Sequence, residues 1–268
     1  PYYATYPGTI RGVGAEPVPI RTHASNAFKP RPEEIAEEAA KGAASLLVNT
    51  PNNPTGTVYG RDTLNGIAQV CRHHDLWLIS DEVYDTQVWE GEHISPRTLP
   101  DMAERTLVVG SMSKSHAMTG SRIGWIAAPK EVITHLINLA THTTYGVPGF
   151  IQDAAVFALA QGEGLEDEIA APFQHRREIA KEILANQNTV GLIPAQGAMY
   201  IMLDVRATGL SGEDFANSLL DAHHIATMPG ESFGQSAHGH IRVAMTVADD
   251  RFKEALQTLV DHAEKLAP

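Results

Sequence analysis

The stretch SMSKSHAMTGSR, residues 111–122, decides how the rest of this chain is read. It sets Lys114 between two hydroxyls, Ser113 and Ser115, and places Arg122 eight residues further on. Upstream stand SDEVYD (80–85), with Asp81 and Tyr84, and NTPNNPTG (49–56), with Asn53. A lysine whose amine is neutral often enough can attack an aldehyde. Pyridoxal 5'-phosphate (PLP) asks for that lysine, for an acid at its ring nitrogen, and for hydroxyl and guanidinium donors at its phosphate.

Each group has a place in that chemistry. Leu76-Trp77-Leu78-Ile79 is an apolar run that reads as a buried strand, and Asp81 closes it. A carboxylate at the carboxyl end of such a strand faces the usual ligand crevice of an open α/β sheet. There Asp81 can keep a pyridine nitrogen protonated. Tyr84 offers a phenol to the ring oxygen O3', and Asn53 offers an amide to the same atom. Ser111 and the planar fork of Arg122 suit a phosphate, with Ser113 nearby. Taken singly, the lysine reads as a solvated charge, NPTG as a turn and Asp81 as a cap. Their occurrence together, in this order, carries the argument.

The chain resembles the class I/II aminotransferases, the fold-type I PLP enzymes. The resemblance rests on Asn53 of NNPTG, Asp81 and Tyr84 of DEVY, Lys114 of SMSK, Arg122 of GSRIGW and Arg242 of HIRVAM, and it runs through essentially all 268 residues. It implies that Lys114, Asp81 and Tyr84 are catalytic, and that Arg242, with Asn53, grips the substrate carboxylate. The opening PYYATY resembles the segment with the aromatic that stacks on the cofactor ring, which gives that role to Tyr3. WEGEHISPRTLPDMAERT (89–106), YGVPGFIQDAA (145–155) and GLSGEDFANSLLDAHHI (209–225) resemble the arginine–pyruvate branch of the family. One departure is Ser121, where the family often carries a bulky aromatic. A larger one is the family's N-terminal part, with its phosphate-cupping glycine loop and cross-subunit tyrosine, which has no counterpart before Pro1. The chain is therefore expected to be a fragment that holds PLP loosely.

Apolar runs alternate with helical ones. Ser45–Val48, Leu76–Ile79, Thr106–Val109 and Ile123–Ala128 read as strands, with Thr63–His74 a helix whose stripe is Leu64, Ile67, Ala68 and Cys71. This implies an α/β fold, a mostly parallel sheet with helices on both faces. The expected division is a PLP-binding large domain over 1–168 and a smaller α+β domain over 169–268. The second should hold strands at 199–205 and at Arg242, with helices through 215–220 and 250–265.

Twenty basic against 32 acidic residues give a formal charge of −12, which disfavours nucleic-acid partners. No run approaches a membrane span. Thirteen histidines include His73-His74, His223-His224 and His238-Gly239-His240, none in a metal-binding spacing, so no metal is expected. Cys71 reads as a reduced core thiol. MSKS also resembles the lysine loop of class I aminoacyl-tRNA synthetases, but no HIGH-type motif precedes it and Asp81 and Arg242 are left unexplained. The resemblance implies a cytoplasmic homodimer that transfers an amino group from an L-amino acid, arginine among the candidates, to a 2-oxo acid such as pyruvate. A β-lyase and a non-catalytic PLP-binding domain are the alternatives, because reaction choice depends on which Cα bond stands perpendicular to the ring.

Overall fold

The computed structural model describes residues 1–267, which divide into two compact units. One comprises residues 31–51 and 59–171, the other residues 1–30, 52–58 and 172–267. In chain order the helices are α1 (Tyr6–Gly12), α2 (Pro32–Ala39), α3 (Arg61–His73), α4 (Met112–Ser115), α5 (Lys130–Thr143), α6 (Gly149–Leu159), α7 (Glu163–Leu184), α8 (Gly212–His223) and α9 (Asp249–Leu266). The strands are β1 (Ser45–Asn49), β2 (Trp77–Asp81), β3 (Thr106–Ser111), β4 (Gly124–Ala127), β5 (Gly191–Leu192), β6 (Tyr200–Asp204), β7 (Met228–Pro229) and β8 (His240–Ala244).

The middle of the chain forms a four-stranded sheet in the order β1-β2-β3-β4. β1, β2 and β3 run parallel, and β4 is antiparallel to β3, so the sheet is mixed and mostly parallel as expected. The stripe of α3 forms its buried side: Leu64, Ile67 and Cys71 have no exposure and Ala68 has 1%. Asp62 in its first turn and Arg72 and His73 in its last complement the helix dipole. Gly66 is required at its place, because a Cβ there would overlap the ring of Pro32 at the start of α2. β2 is less enclosed than its apolar run implies. Leu78 and Ser80 are fully buried while Trp77, on the opposite face, is 42% exposed, as alternation along a strand dictates. Along β4 every residue is exposed, and α5 buries none.

The other unit carries a four-stranded sheet in the order β5-β6-β8-β7, antiparallel throughout. Ile201, Leu203 and Ile241 from its strands pack with Phe252, Leu256, Leu259 and Val260 of α9, each at most 2% exposed. A fully buried side chain of this size contributes about 1.5–3 kcal/mol by leaving water, so this helix-on-sheet layer is the stable centre of the unit.

The contiguous division expected at residue 168 is replaced by an interleaved one. The boundary between the units falls within the continuous helix α7, between Ala171 and Pro172 and close to the expected place, but residues 1–30 and 52–58 group with the C-terminal part. Backbone bonds account for this. Tyr2 N–H donates to the Phe233 carbonyl at 3.0 Å, and Gln196 and Gly197 N–H donate to the Gly56 carbonyl at 2.7 and 2.8 Å. Gly56 itself has φ +71°, and a Cβ there would lie 2.7 Å from Ala195 Cβ.

Candidate active site

Parallel pairing sets Asp81 of β2 opposite Val109 of β3, two residues before Ser111. Both strands therefore leave the sheet at the same, carboxyl, end, where open α/β sheets bind ligands. Asp81 Oδ1 accepts the Val83 N–H at 3.2 Å, which starts the turn that buries Tyr84 to 3% exposure. Ser111 ends β3 and caps α4, its Oγ accepting the Ser113 N–H at 3.0 Å. Ser111 Oγ keeps its own hydrogen to donate elsewhere. The cap fixes the single helical turn that presents Lys114. Gln87, fully buried, donates through Nε2 to the Lys114 carbonyl at 3.4 Å.

Beyond Lys114 the backbone is strained. Ala117 and Arg122 both adopt left-handed conformations, at φ +52° and +53°. Non-glycine residues held this way cost on the order of 1–3 kcal/mol and cluster at functional sites. Arg122 is exposed, and its Nη1 donates to the Thr119 carbonyl at 3.0 Å. Next to the lysine, Ser115 Oγ and His116 Nδ1 lie 2.8 Å apart, and His116 Nε2 is 3.5 Å from Glu166. Burial pushes the Glu166 and Asp85 carboxyls up, opposed at Glu166 by His116 and at Asp85 by His93.

The unit with the antiparallel sheet holds the remaining expected residues. Asn53 is 4% exposed, and its Oδ1 accepts from Arg242 Nη1 at 2.8 Å, across 189 positions of sequence. The Arg242 guanidinium carbon stands 4.2 Å from the Tyr200 ring centre and 4.8 Å from that of Phe233. These two aromatics are absent from the sequence reading. Tyr200 starts β6, and only strand pairing, which sets Met202 beside Arg242, brings it near. Tyr3 is 38% exposed and stacks edge to face on Tyr6 at 5.5 Å. Glu231 is tied to the backbone of its own unit, its Oε1 accepting the Gly212 N–H at 2.9 Å and the Gly239 N–H at 3.0 Å. Its burial opposes ionisation, yet the Gly239 and Gly212 N–H groups hold its carboxyl below the usual range.

These donors fit PLP by their chemistry: an amine, a ring-nitrogen acid and a buried phenol close in sequence, with hydroxyls and a guanidinium for a phosphate. Among the described residues no group of three or more His, Cys, Asp or Glu side chains could hold a metal ion, and no helix is long and apolar enough to cross a membrane.

Comparison with known proteins follows the same lines. The family model for aminotransferase class I and II matches residues 1–259. The chain is 40% identical over 266 residues to an arginine–pyruvate transaminase of Pseudomonas aeruginosa, covering 99% of this chain and 68% of that protein. It is 31% identical to aromatic-amino-acid aminotransferase 2 of Thermococcus litoralis, covering 97% and 67%. Among solved structures it is similar to an aromatic aminotransferase of Pyrococcus horikoshii, with TM-score 0.94, 30% identity and coverage of 99% and 72%. It is likewise similar to a Thermus thermophilus aspartate aminotransferase with maleate, with TM-score 0.91, 31% identity and coverage of 97% and 68%. The chain spans about two thirds of the length of these curated relatives.

Proposed function

We propose that this chain, which belongs to the aminotransferase class I and II family of PLP-dependent enzymes, moves the amino group of an L-amino acid to a 2-oxo acid in two half-reactions. The observation that carries the reading is the common exit of Asp81, Ser111 and Lys114 from adjacent strand ends, with Tyr84 buried in the turn between.

PLP, when bound, supplies the aldehyde that condenses with amines and the ring that accepts electrons from the substrate Cα. The chain's residues do the rest. Lys114 Nζ would anchor the cofactor through its aldehyde carbon and, once free, would serve as the base that takes the substrate Cα proton and gives it back across the amino nitrogen. Asp81 keeps a proton at the ring nitrogen, which makes the ring a better electron sink. Tyr84 donates its phenol to O3', with Asn53 as a second donor. Ser111, Ser113 and Arg122 grip the phosphate, and Tyr3 stacks on the ring. Arg242 presents its fork to the substrate carboxylate, oriented by Asn53 and by the faces of Tyr200 and Phe233.

Arginine as donor and pyruvate as acceptor are the finer reading, supported by the 40% identity to the arginine–pyruvate transaminase. A donor screen against pyruvate and 2-oxoglutarate tests it. Highest kcat/KM for arginine with pyruvate is expected, and a preference for aspartate or aromatic donors removes the finer reading alone. Elimination products without transfer would move the assignment to a β-lyase. A homodimer is part of the proposal, supported by exposed apolar side chains on α5 and α6, among them Ile137, Leu139, Phe150 and Phe157. Sedimentation measures it. We place the enzyme in the cytoplasm, where a buried free thiol such as Cys71 is kept reduced, and cell fractionation checks this.

A further inference from the structure

Immediately beyond Asp81 the chain buries a separate polar cluster that the mechanism above does not use. Glu82 is 5% exposed, and its N–H donates to the Val109 carbonyl at 2.9 Å, which carries the β2–β3 pairing one residue past Asp81. Successive side chains of an extended run point to opposite faces, so Glu82 turns away from the face that Asp81 serves. Its carboxylate is not left alone there. Glu82 Oε2 lies 2.9 Å from His93 Nε2, and Oε1 accepts from Ser95 Oγ at 2.8 Å. A carboxylate only accepts, so His93 Nε2 carries the hydrogen.

The partners lie 11 and 13 residues further along the chain, and their two bonds close the base of a loop. That loop carries Tyr84. Inside it the Asp85 N–H donates to the Glu82 carbonyl at 3.0 Å and the Gln87 N–H to the Tyr84 carbonyl at 2.9 Å. Gln87 then reaches the Lys114 carbonyl at 3.4 Å. A continuous set of bonds thus runs from the Glu82 carboxylate, through the loop, to the segment bearing the lysine. A buried carboxylate that loses one donor is costly, and the loop must shift to relieve it.

We propose that Glu82, His93 and Ser95 form a positioning clamp that holds the Asp81 carboxylate and the Tyr84 phenol in register with Lys114. Its members act through Asp81 and Tyr84, and the clamp assigns none of the three a contact with cofactor or substrate. The proposal rests on the reading of Asp81, Tyr84 and Lys114 given above. Its consequence is that the loop geometry, and with it the proton held at the ring, depends on a hydrogen-bond donor at position 93.

The test pairs His93→Leu, which deletes the donor, with His93→Gln, whose amide can replace Nε2. In the chain without PLP, His93→Leu should speed hydrogen exchange of the 83–87 amides by about tenfold or more. With PLP bound it should shift the pH at which the visible absorption band changes. It should also lower kcat by roughly 10- to 100-fold, as misplacement of catalytic groups does, and leave the donor KM within about twofold. His93→Gln should restore all of these toward the parent. Equal behaviour of the two variants, or a kcat loss that only follows the folded fraction with an unshifted band, overturns the clamp. Should His93→Leu fail to fold, Ser95→Ala against Ser95→Thr reads the same contrast at the other oxygen. Lys114→Ala, run in parallel, separates the two levels. An unchanged visible band in that variant removes the site the clamp serves, whereas a lost band with indifferent His93 and Ser95 variants removes only the clamp.

Discussion

Arg242 sits inside a paired strand, opposite Met202 on one neighbour and Met228 on the other, whereas Lys114 sits in a single helical turn entered from a serine cap. Around Arg242 the sheet fixes the backbone, Asn53 fixes one nitrogen, and two aromatic faces fix the plane of the fork. Around Lys114 local hydrogen bonds and two left-handed residues do the work, with exposed β4 beyond them. The role proposed for Arg242, a rigid fork presented to a planar carboxylate, benefits from a strand. The role proposed for Lys114, releasing one partner and turning to another, benefits from a short segment anchored at its ends.

Two substitutions probe this contrast. Lys114→Ala should lower turnover by roughly 10⁴-fold or more, the upper range for a positioned general base that is also the covalent anchor. Borohydride treatment of the PLP-loaded protein followed by peptide mapping should label Lys114, and a label on another lysine moves the assignment. Arg242→Lys replaces the fork by a point charge, and a loss of about 10- to 100-fold in kcat/KM is expected for every amino and oxo acid alike. The cofactor's absorption should be unchanged. Loss for one donor only would make Arg242 a side-chain reader.

The packing difference between the units is smaller in effect but as direct. Phe252, 2% exposed under the antiparallel sheet, should cost about 3–5 kcal/mol when changed to alanine. Ile137 on α5, 63% exposed, should cost within about 0.5 kcal/mol when changed to serine in the isolated chain. Urea unfolding measures both. If Ile137→Ser costs as much as Phe252→Ala, α5 is covered in solution, and sedimentation of the two variants shows whether a second copy covers it.

An effect confined to alkaline pH concerns Cys71. Burial pushes its thiol from the ordinary 9.0 up to about 11, with Arg105 and Arg72 pulling the other way. The folded state therefore keeps a proton that the unfolded state gives up. Stability from this group is intact below about pH 9 and is lost as pH rises toward 11. Cys71→Ala should flatten that part of the stability profile. Tyr59, also raised by burial, acts in the same sense at still higher pH and remains in the variant.

Much of this was legible in the residues. The α3 stripe, the apolar runs of β1, β2 and β3, and the long helix α9 follow from periodicity, because one buried face imposes its spacing on the sequence. The roles proposed for Lys114, Asp81 and Asn53 were readable from side-chain type and motif order, and the one proposed for Arg242 from the family resemblance. The helices α2 and α5 went unread. α2 is short, and α5 buries no residue, so no buried face marks it. Tyr200, Phe233 and the Glu82 partners were hidden for another reason. His93 and Ser95 carry no local signal for the carboxylate they bind 11 and 13 residues back.

By itself, then, the sequence determined the cofactor chemistry and the α/β alternation, since both depend on residue type and short-range spacing. Tertiary structure alone decided that residues 1–30 and 52–58 join the C-terminal unit, that Tyr200 and Phe233 flank Arg242, and that β4 runs antiparallel. Those outcomes depend on which backbone groups pair over long separations, and the free energy of each pairing is set by partners that no local window of sequence contains.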